Sequence, residues 1–132
     1  MRIKGVGVDT VEVERIKTVV IRRKRFVERF FNQGEIIRKP EDKTYYQEIA
    51  SKFAAKEAVV KAMGTGFRGF KWKDINIFND KLGKPYVKLN GRACEVSDNL
   101  GIKDFMISIT HTKKYATAFA IALSDFDRGE ER

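Results

Sequence analysis

Disulfide chemistry is closed to this chain. Its 132 residues include one cysteine, Cys94, so no internal bridge can form, which suits a reducing cytoplasm. Long apolar runs are missing as well. The longest, AFAIAL near the end, is far short of the roughly 18 residues that suggest a membrane span. The opening residues MRIKGVGVD lack the apolar stretch of a secretory signal, and neither repeats nor a linker interrupt the chain. These absences lead to the expectation of one cytoplasmic domain over residues 1–132, with no membrane partner and a frayed tail from about residue 125.

Negative charge is also scarce. Eighteen Asp/Glu face 27 Lys/Arg, for a net charge of +9. Residues 1–39 alone hold eleven Lys/Arg against five Asp/Glu, a net of +6. A one-sided positive surface calls for an acidic partner: nucleic acid, an anionic membrane or an acidic protein. The segment RIKTVVIRRKR, from Arg15 to Arg25, carries six positive residues and no acid. Val19, Val20, Ile21 and the following Phe26 interleave with its charges, a mixture suited to an acidic amphipathic helix. RNA is the rival target, but no aromatic stacking signature accompanies the charge.

What is present reads as an α+β domain. In RIKGVGVDTVEV, Val6, Val8 and Thr10 alternate with Gly5, Gly7 and Asp9, the pattern of a strand with one nearly bare face. Two glycines on one face suggest a close approach there. Helical spacing runs from Glu12 to Asn32 and predicts two helices with a bend near residues 22–24. After the breaker RKPEDK, a long helix is predicted over about Thr44 to Met63, closed by Gly64. DINIF and PYVKL form a candidate hairpin, and NGRACEVSDNLG a short helix capped by Asn90 and ended by Gly101. FMISITH and YATAFAIAL complete a largely antiparallel sheet packed on the long helix.

The long helix carries charges that cannot all face water. Tyr46, Ala50, Ala54, Ala58 and Ala62 form one row, and Ile49, Phe53, Glu57 and Lys61 the next. Glu57 therefore continues an apolar row, where a carboxylate is costly without a cation. One reading is an ordinary i,i+4 ion pair with Lys61. The other is a cavity holding a metal ion, with Lys61 or Lys56 facing an anion. Asp9, at the end of the glycine-cleared face, suits the second reading, because Mg²⁺ takes one or two carboxylates and shares itself with substrate phosphates. Alone, Asp9 would read as a turn residue or helix cap. GTGFRG matches G-x-G-x-x-G but follows a helix instead of opening one, so Gly64 reads as a cap. His111 alone reads as a hydrogen-bonded strand residue, and it suggests no nucleophilic triad with Ser108 and Thr110. Cys94 is expected in the core.

GVGVDTVEVERI, FAAKEAVVKAMGTG and ISITHTKKYATAFAIAL resemble, in order, the signature stretches of the holo-acyl-carrier-protein synthases, short 4'-phosphopantetheinyl transferases; GKPYVKLNGRA also resembles them. The resemblance implies transfer of the phosphopantetheine arm of coenzyme A to a serine of apo acyl carrier protein in fatty acid synthesis, with release of adenosine 3',5'-bisphosphate. It implies Asp9 and Glu57 as Mg²⁺ ligands and, with Lys61, as catalytic residues. Lys52, Lys56, Lys61, Gly64 and His111 are implied at coenzyme A, and Arg15, Arg22, Arg23, Arg25 and Phe26 at the acidic carrier protein. A homotrimer with sites at subunit boundaries and no nucleic-acid partner is implied as well. The proton acceptor for the serine stays open between Glu57 and a metal-bound water. Two positions depart from the family pattern: Lys52 stands where arginine is usual, and Thr110 where serine is usual. Lysine lacks the bidentate fork of arginine, so a phosphate contact there would be weaker.

Overall fold

The alternation around Gly5 and Gly7 gives an eleven-residue strand, β1 (Arg2–Glu12), in the computed structural model, which describes residues 1–124. Two helices follow: α1 (Val13–Arg22) and the five-residue α2 (Phe26–Phe30), separated where Arg23 turns extended. The long helix α3 spans Tyr45–Met63 and ends on Gly64, whose φ of 79° is the left-handed cap that glycine adopts without strain. A 3₁₀ turn (Trp72–Asp74) leads into β2 (Ile75–Asn79), β3 (Pro85–Leu89), α4 (Gly91–Asn99), β4 (Asp104–His111) and β5 (Tyr115–Ser124). The fold is α+β, as the sequence pattern indicates.

The strands divide into two antiparallel sheets. One has the order β1-β5-β4; the other is the β2-β3 hairpin. In the larger sheet Asp9 lies opposite Ala118 of β5, which lies opposite Ile109 of β4. Its inner face is lined with small residues: Gly5 and Gly7 on β1, and Ala116, Ala118, Ala120 and Ala122 on β5. The alanine row of α3 lies against them, with Ala50, Ala54 and Ala58 fully buried. Contact is so close that a Cβ on Gly7 would sit 2.1 Å from the Ala58 carbonyl oxygen, and one on Gly5 2.2 Å from that of Ala62. Backbone thus meets backbone, and the helix is held against β1 without intervening side chains.

The outer face of this sheet is uncovered within one chain. Val6 (56% exposed), Val8 (53%), Met106 (56%) and Phe119 (40%) crowd together there across the three strands. Beyond them Thr10 and Thr117 are hydrogen-bonded through their hydroxyls at 2.9 Å.

Two local expectations are corrected. Cys94 is exposed, not in the core, because α4 buries Ala93 and Ser97 one turn apart, and Cys94 falls beside that stripe. Asn90 occupies the N-cap position of α4, but its side chain makes no capping bond. The tail expected to fray lies outside the described residues.

Candidate active site

β1 delivers Asp9 to its inner face two residues beyond Gly7, and α3 delivers Glu57 and Lys61 to the same place, one turn apart. Lys61 Nζ donates to Asp9 Oδ1 at 3.2 Å and to the Val8 carbonyl at 3.0 Å. The ion pair therefore forms between helix and strand, and not with Glu57 along the helix. Glu57 is half-buried, and among the described residues its carboxylate has no hydrogen-bonding or ion-pairing partner. Burial raises its pKa first, the neighbouring Asp9 charge raises it further, and Lys61 offsets part of the rise. A carboxylate left short of a cation beside a second carboxylate is the donor chemistry that suits Mg²⁺, with water and phosphate oxygens completing the shell. Among the described residues no group of three or more His, Cys, Asp or Glu side chains gathers.

The other flank of α3 holds charge differently. Lys52 lies about 140° around the helix from Glu57 at 100° per residue. Its ammonium donates to Glu48 Oε2 at 3.2 Å, to Asn79 Oδ1 at 2.5 Å and to the Glu35 carbonyl. Those three acceptors use all its protons, and burial lowers its pKa. Lys56 is fully buried against a fully buried Glu35, at 3.0 Å. It also donates to the carbonyls of Phe30 at 2.7 Å and Trp72 at 3.1 Å. Burial lowers its pKa to about 8, although Glu35 acts in the opposite direction. The expectation that Lys56 faces an anion is thus corrected: it has neither exposure nor a free proton. Lys52 likewise has no N–H to spare for a phosphate, although it lines a cavity of 710 Å³ with Arg38, Lys81, Asn79 and His111.

The remaining expected residues scatter between these places. His111 ends β4 at that cavity, two strands away from Asp9. Gly64 caps α3 beside open space. Thr110 lies on the outer face opposite Thr117. Arg15, Arg22, Arg23 and Arg25 are exposed along α1 and the bend, with Arg25 paired to Glu28 at 3.2 Å. Phe26, expected at the surface, is buried and stacks on Phe30 at 4.5 Å; its ring still forms part of the wall of a 560 Å³ groove with Arg15, Ile16, Val19 and Phe53.

Sequence reading missed Glu35, Glu48 and Trp72. Glu35 Oε1 accepts from the Ile77 amide at 2.9 Å, and its Oε2 from the Asn32 amide at 2.7 Å. Glu48 accepts from the amides of Ile37 and Arg38 at 2.9 and 2.8 Å. A signal existed: two lysines on the buried side of a helix require acidic partners, and NQGE supplied one.

The family profile of the 4'-phosphopantetheinyl transferase superfamily matches residues 5–120. The holo-[acyl-carrier-protein] synthase of Clostridium acetobutylicum is 47% identical over 119 residues, 90% of this chain and 96% of that protein. The enzyme of the same name from Thermoanaerobacter pseudethanolicus is 47% identical over 118 residues, 89% of this chain and 86% of its own. Among solved structures, the Helicobacter pylori holo-[acyl-carrier-protein] synthase in complex with coenzyme A superimposes with a TM-score of 0.77 at 32% identity, covering 89% of this chain and 99% of the other. The matched profile spans nearly the whole described chain, Asp9, Glu57 and Lys61 included, and the protein belongs to the 4'-phosphopantetheinyl transferase superfamily.

Proposed function

We infer that this chain transfers the 4'-phosphopantetheine arm of coenzyme A to a serine of an acyl carrier protein. The carrying observation is Glu57: a half-buried carboxylate, short of a cation, held beside Asp9 by a helix that two glycines admit to the strand. Asp9 and Glu57 would hold Mg²⁺, which supplies charge neutralisation and alignment of the pyrophosphate when bound. In the reaction, the serine oxygen forms a bond to the pantetheine-side phosphorus as the bond from that phosphorus to the bridging oxygen breaks. Adenosine 3',5'-bisphosphate leaves with the electron pair. The serine proton passes to a carboxylate oxygen of Glu57, directly or through a water. Lys61, more than half exposed and flexible on its stem, turns from Asp9 to the leaving phosphate and offsets its gathering charge.

The exposed arginines of α1 and the bend receive the acidic carrier protein. The chain works as a homotrimer with sites at subunit boundaries. Two features support this reading: the uncovered apolar outer face of the larger sheet, and the placement of His111 on β4 with β5 between it and the Asp9 strand. A neighbouring copy can bring the His111 cavity of one subunit to the carboxylate pair of the next. The decisive experiment is incubation of the purified protein with coenzyme A, Mg²⁺ and apo carrier protein. Mass spectrometry should show the added arm, and its absence would overturn the assignment. Light scattering should report three copies, and Val8→Lys, placed on the outer face, should shift the mass toward one.

A further inference from the structure

The Lys56–Glu35 pair is not used by the reaction. Both side chains are fully buried, an arrangement that apolar residues of similar volume replace at little or no cost to stability in many proteins. What an ammonium provides beyond apolar packing is direction: three protons that fix three distances. Here they go to three separate segments, the end of α2 at Phe30, the connection to α3 at Glu35, and the 3₁₀ turn at Trp72. Glu35 adds two more ties, to Asn32 and to Ile77 of β2.

These ties hold a segment with little structure of its own. α2 has five residues, too few for a helix to persist alone. The carbonyls that Lys56 grips belong to two aromatic residues in contact, with the Phe30 and Trp72 rings 5.1 Å apart and tilted by 55°. Trp72 in turn stacks on Phe53 at 4.8 Å, one helical turn before Glu57. A 510 Å³ groove between α1 and α2, walled by Val19, Arg23, Arg25, Phe26 and Phe30, takes its width from where α2 is held.

We propose that Lys56 is a positioning residue: with Glu35 it locks α2 to the helix that carries Glu57, and so sets the spacing between the carrier-docking face and the transfer site. The proposal rests on the reading of α1 and α2 as that docking face. Its consequence is selective. Loss of the lock disturbs recognition of the carrier protein and leaves recognition of coenzyme A in place.

The test compares Lys56→Met and Glu35→Gln with the intact protein, in two measurements. Steady-state kinetics should show KM for the carrier protein raised by about 10-fold in Lys56→Met, with KM for coenzyme A within about 2-fold. Hydrogen exchange should show faster exchange of amides 26–36 in both variants, with less effect in Glu35→Gln, which keeps the size of the side chain. If Lys56→Met does not fold, Glu35→Gln carries both measurements. A raised KM for coenzyme A with an unchanged KM for carrier would overturn the proposal, as would unchanged exchange over 26–36. Reversing Arg15 and Arg22 to Glu in the same assay tests the docking reading by itself. Unchanged carrier KM there would remove α1 from the interface, while the exchange measurement still decides the lock.

Discussion

The two flanks of α3 treat charge in opposite ways. On the inner flank, Lys52 and Lys56 are buried, and each ammonium meets three acceptors. On the flank facing Asp9, Glu57 is half-buried with no partner of its own, and Lys61 reaches past it to the strand. Both flanks pay desolvation, but only one is compensated from within the chain. A saturated buried charge fixes geometry; an unsaturated one leaves room for a ligand, which is the role the proposed function gives to Glu57. Residue type alone does not separate the two, since KE at residues 56–57 places one of each side by side.

The sharpest way to break this contrast is Glu57→Gln. Transfer should fall by about 10³-fold, the scale on which removal of one preorganised electrostatic group acts. The melting temperature should rise slightly, because the folded protein raises the pKa of this carboxyl group. Stability from Glu57 is present below its ordinary pKa and lost as pH rises through the raised value, so at neutral pH the ionised group opposes folding. Mass spectrometry and calorimetry on one preparation check both. Retained transfer would move the chemistry elsewhere, and a large drop in melting temperature would class Glu57 with the inner flank.

The inner flank should answer oppositely. Glu35→Ala leaves the Lys56 ammonium buried beside an empty site and should cost about 3–5 kcal/mol in urea unfolding. Combining Lys56→Met with Glu35→Leu should recover the part of that loss due to the unpaired ammonium, while the amides of Asn32 and Ile77 and the carbonyls of Phe30 and Trp72 lose their side-chain partners. Failure to recover would mean that the stability, and not only the geometry, depends on the charges.

Gly7→Ala acts on both flanks through the position of the helix. Its Cβ would meet the Ala58 carbonyl oxygen at 2.1 Å, the Ala62 nitrogen at 2.7 Å and the Lys61 Cβ at 2.9 Å; the two nearest are backbone, so α3 must shift. A cost of about 1–3 kcal/mol, the range for overpacking, should accompany weaker divalent-ion binding, read by titration calorimetry. Unchanged binding in a destabilised protein would show that Asp9 and Glu57 do not depend on this spacing.

Much of this arrangement was legible in advance because it is periodic. The alternation at Val6, Gly7, Val8 and Asp9, and the four-residue rows of α3, set the faces on which Asp9, Glu57 and Lys61 emerge. The Gly64 cap followed from the same pattern. The inner flank was not legible, because its partners come from aperiodic chain. Glu35 lies in a connection without helix or strand, and its burial depends on β2 and the 3₁₀ turn folding over it. Cys94 was misplaced for a related reason. A nine-residue helix with buried Ala93 and Ser97 has too narrow an apolar stripe to fix its phase from residue type.

The smallest effect, and the most specific to the inner flank, is in the pH dependence of stability. Burial lowers the pKa of Lys52 and takes that of Lys56 from 10.5 to about 8. Between about pH 8 and 10, the unfolded chain therefore binds more protons than the folded one, and stability rises with pH. The Tyr45 phenol, whose pKa is raised above 10.0 chiefly by burial, works in the opposite direction only above that window. Urea midpoints at pH 7.5 and 9.5 should differ by an amount on the order of 1 kcal/mol, given about 1.4 kcal/mol per pKa unit. Lys56→Met should remove most of the rise, while Glu57→Gln, which titrates on the acid side, should leave it intact. A rise that survives Lys56→Met would assign it to Lys52. A steady fall across the window would mean that the acceptors around these ammonium groups outweigh their burial, and the two flanks would then differ in exposure alone.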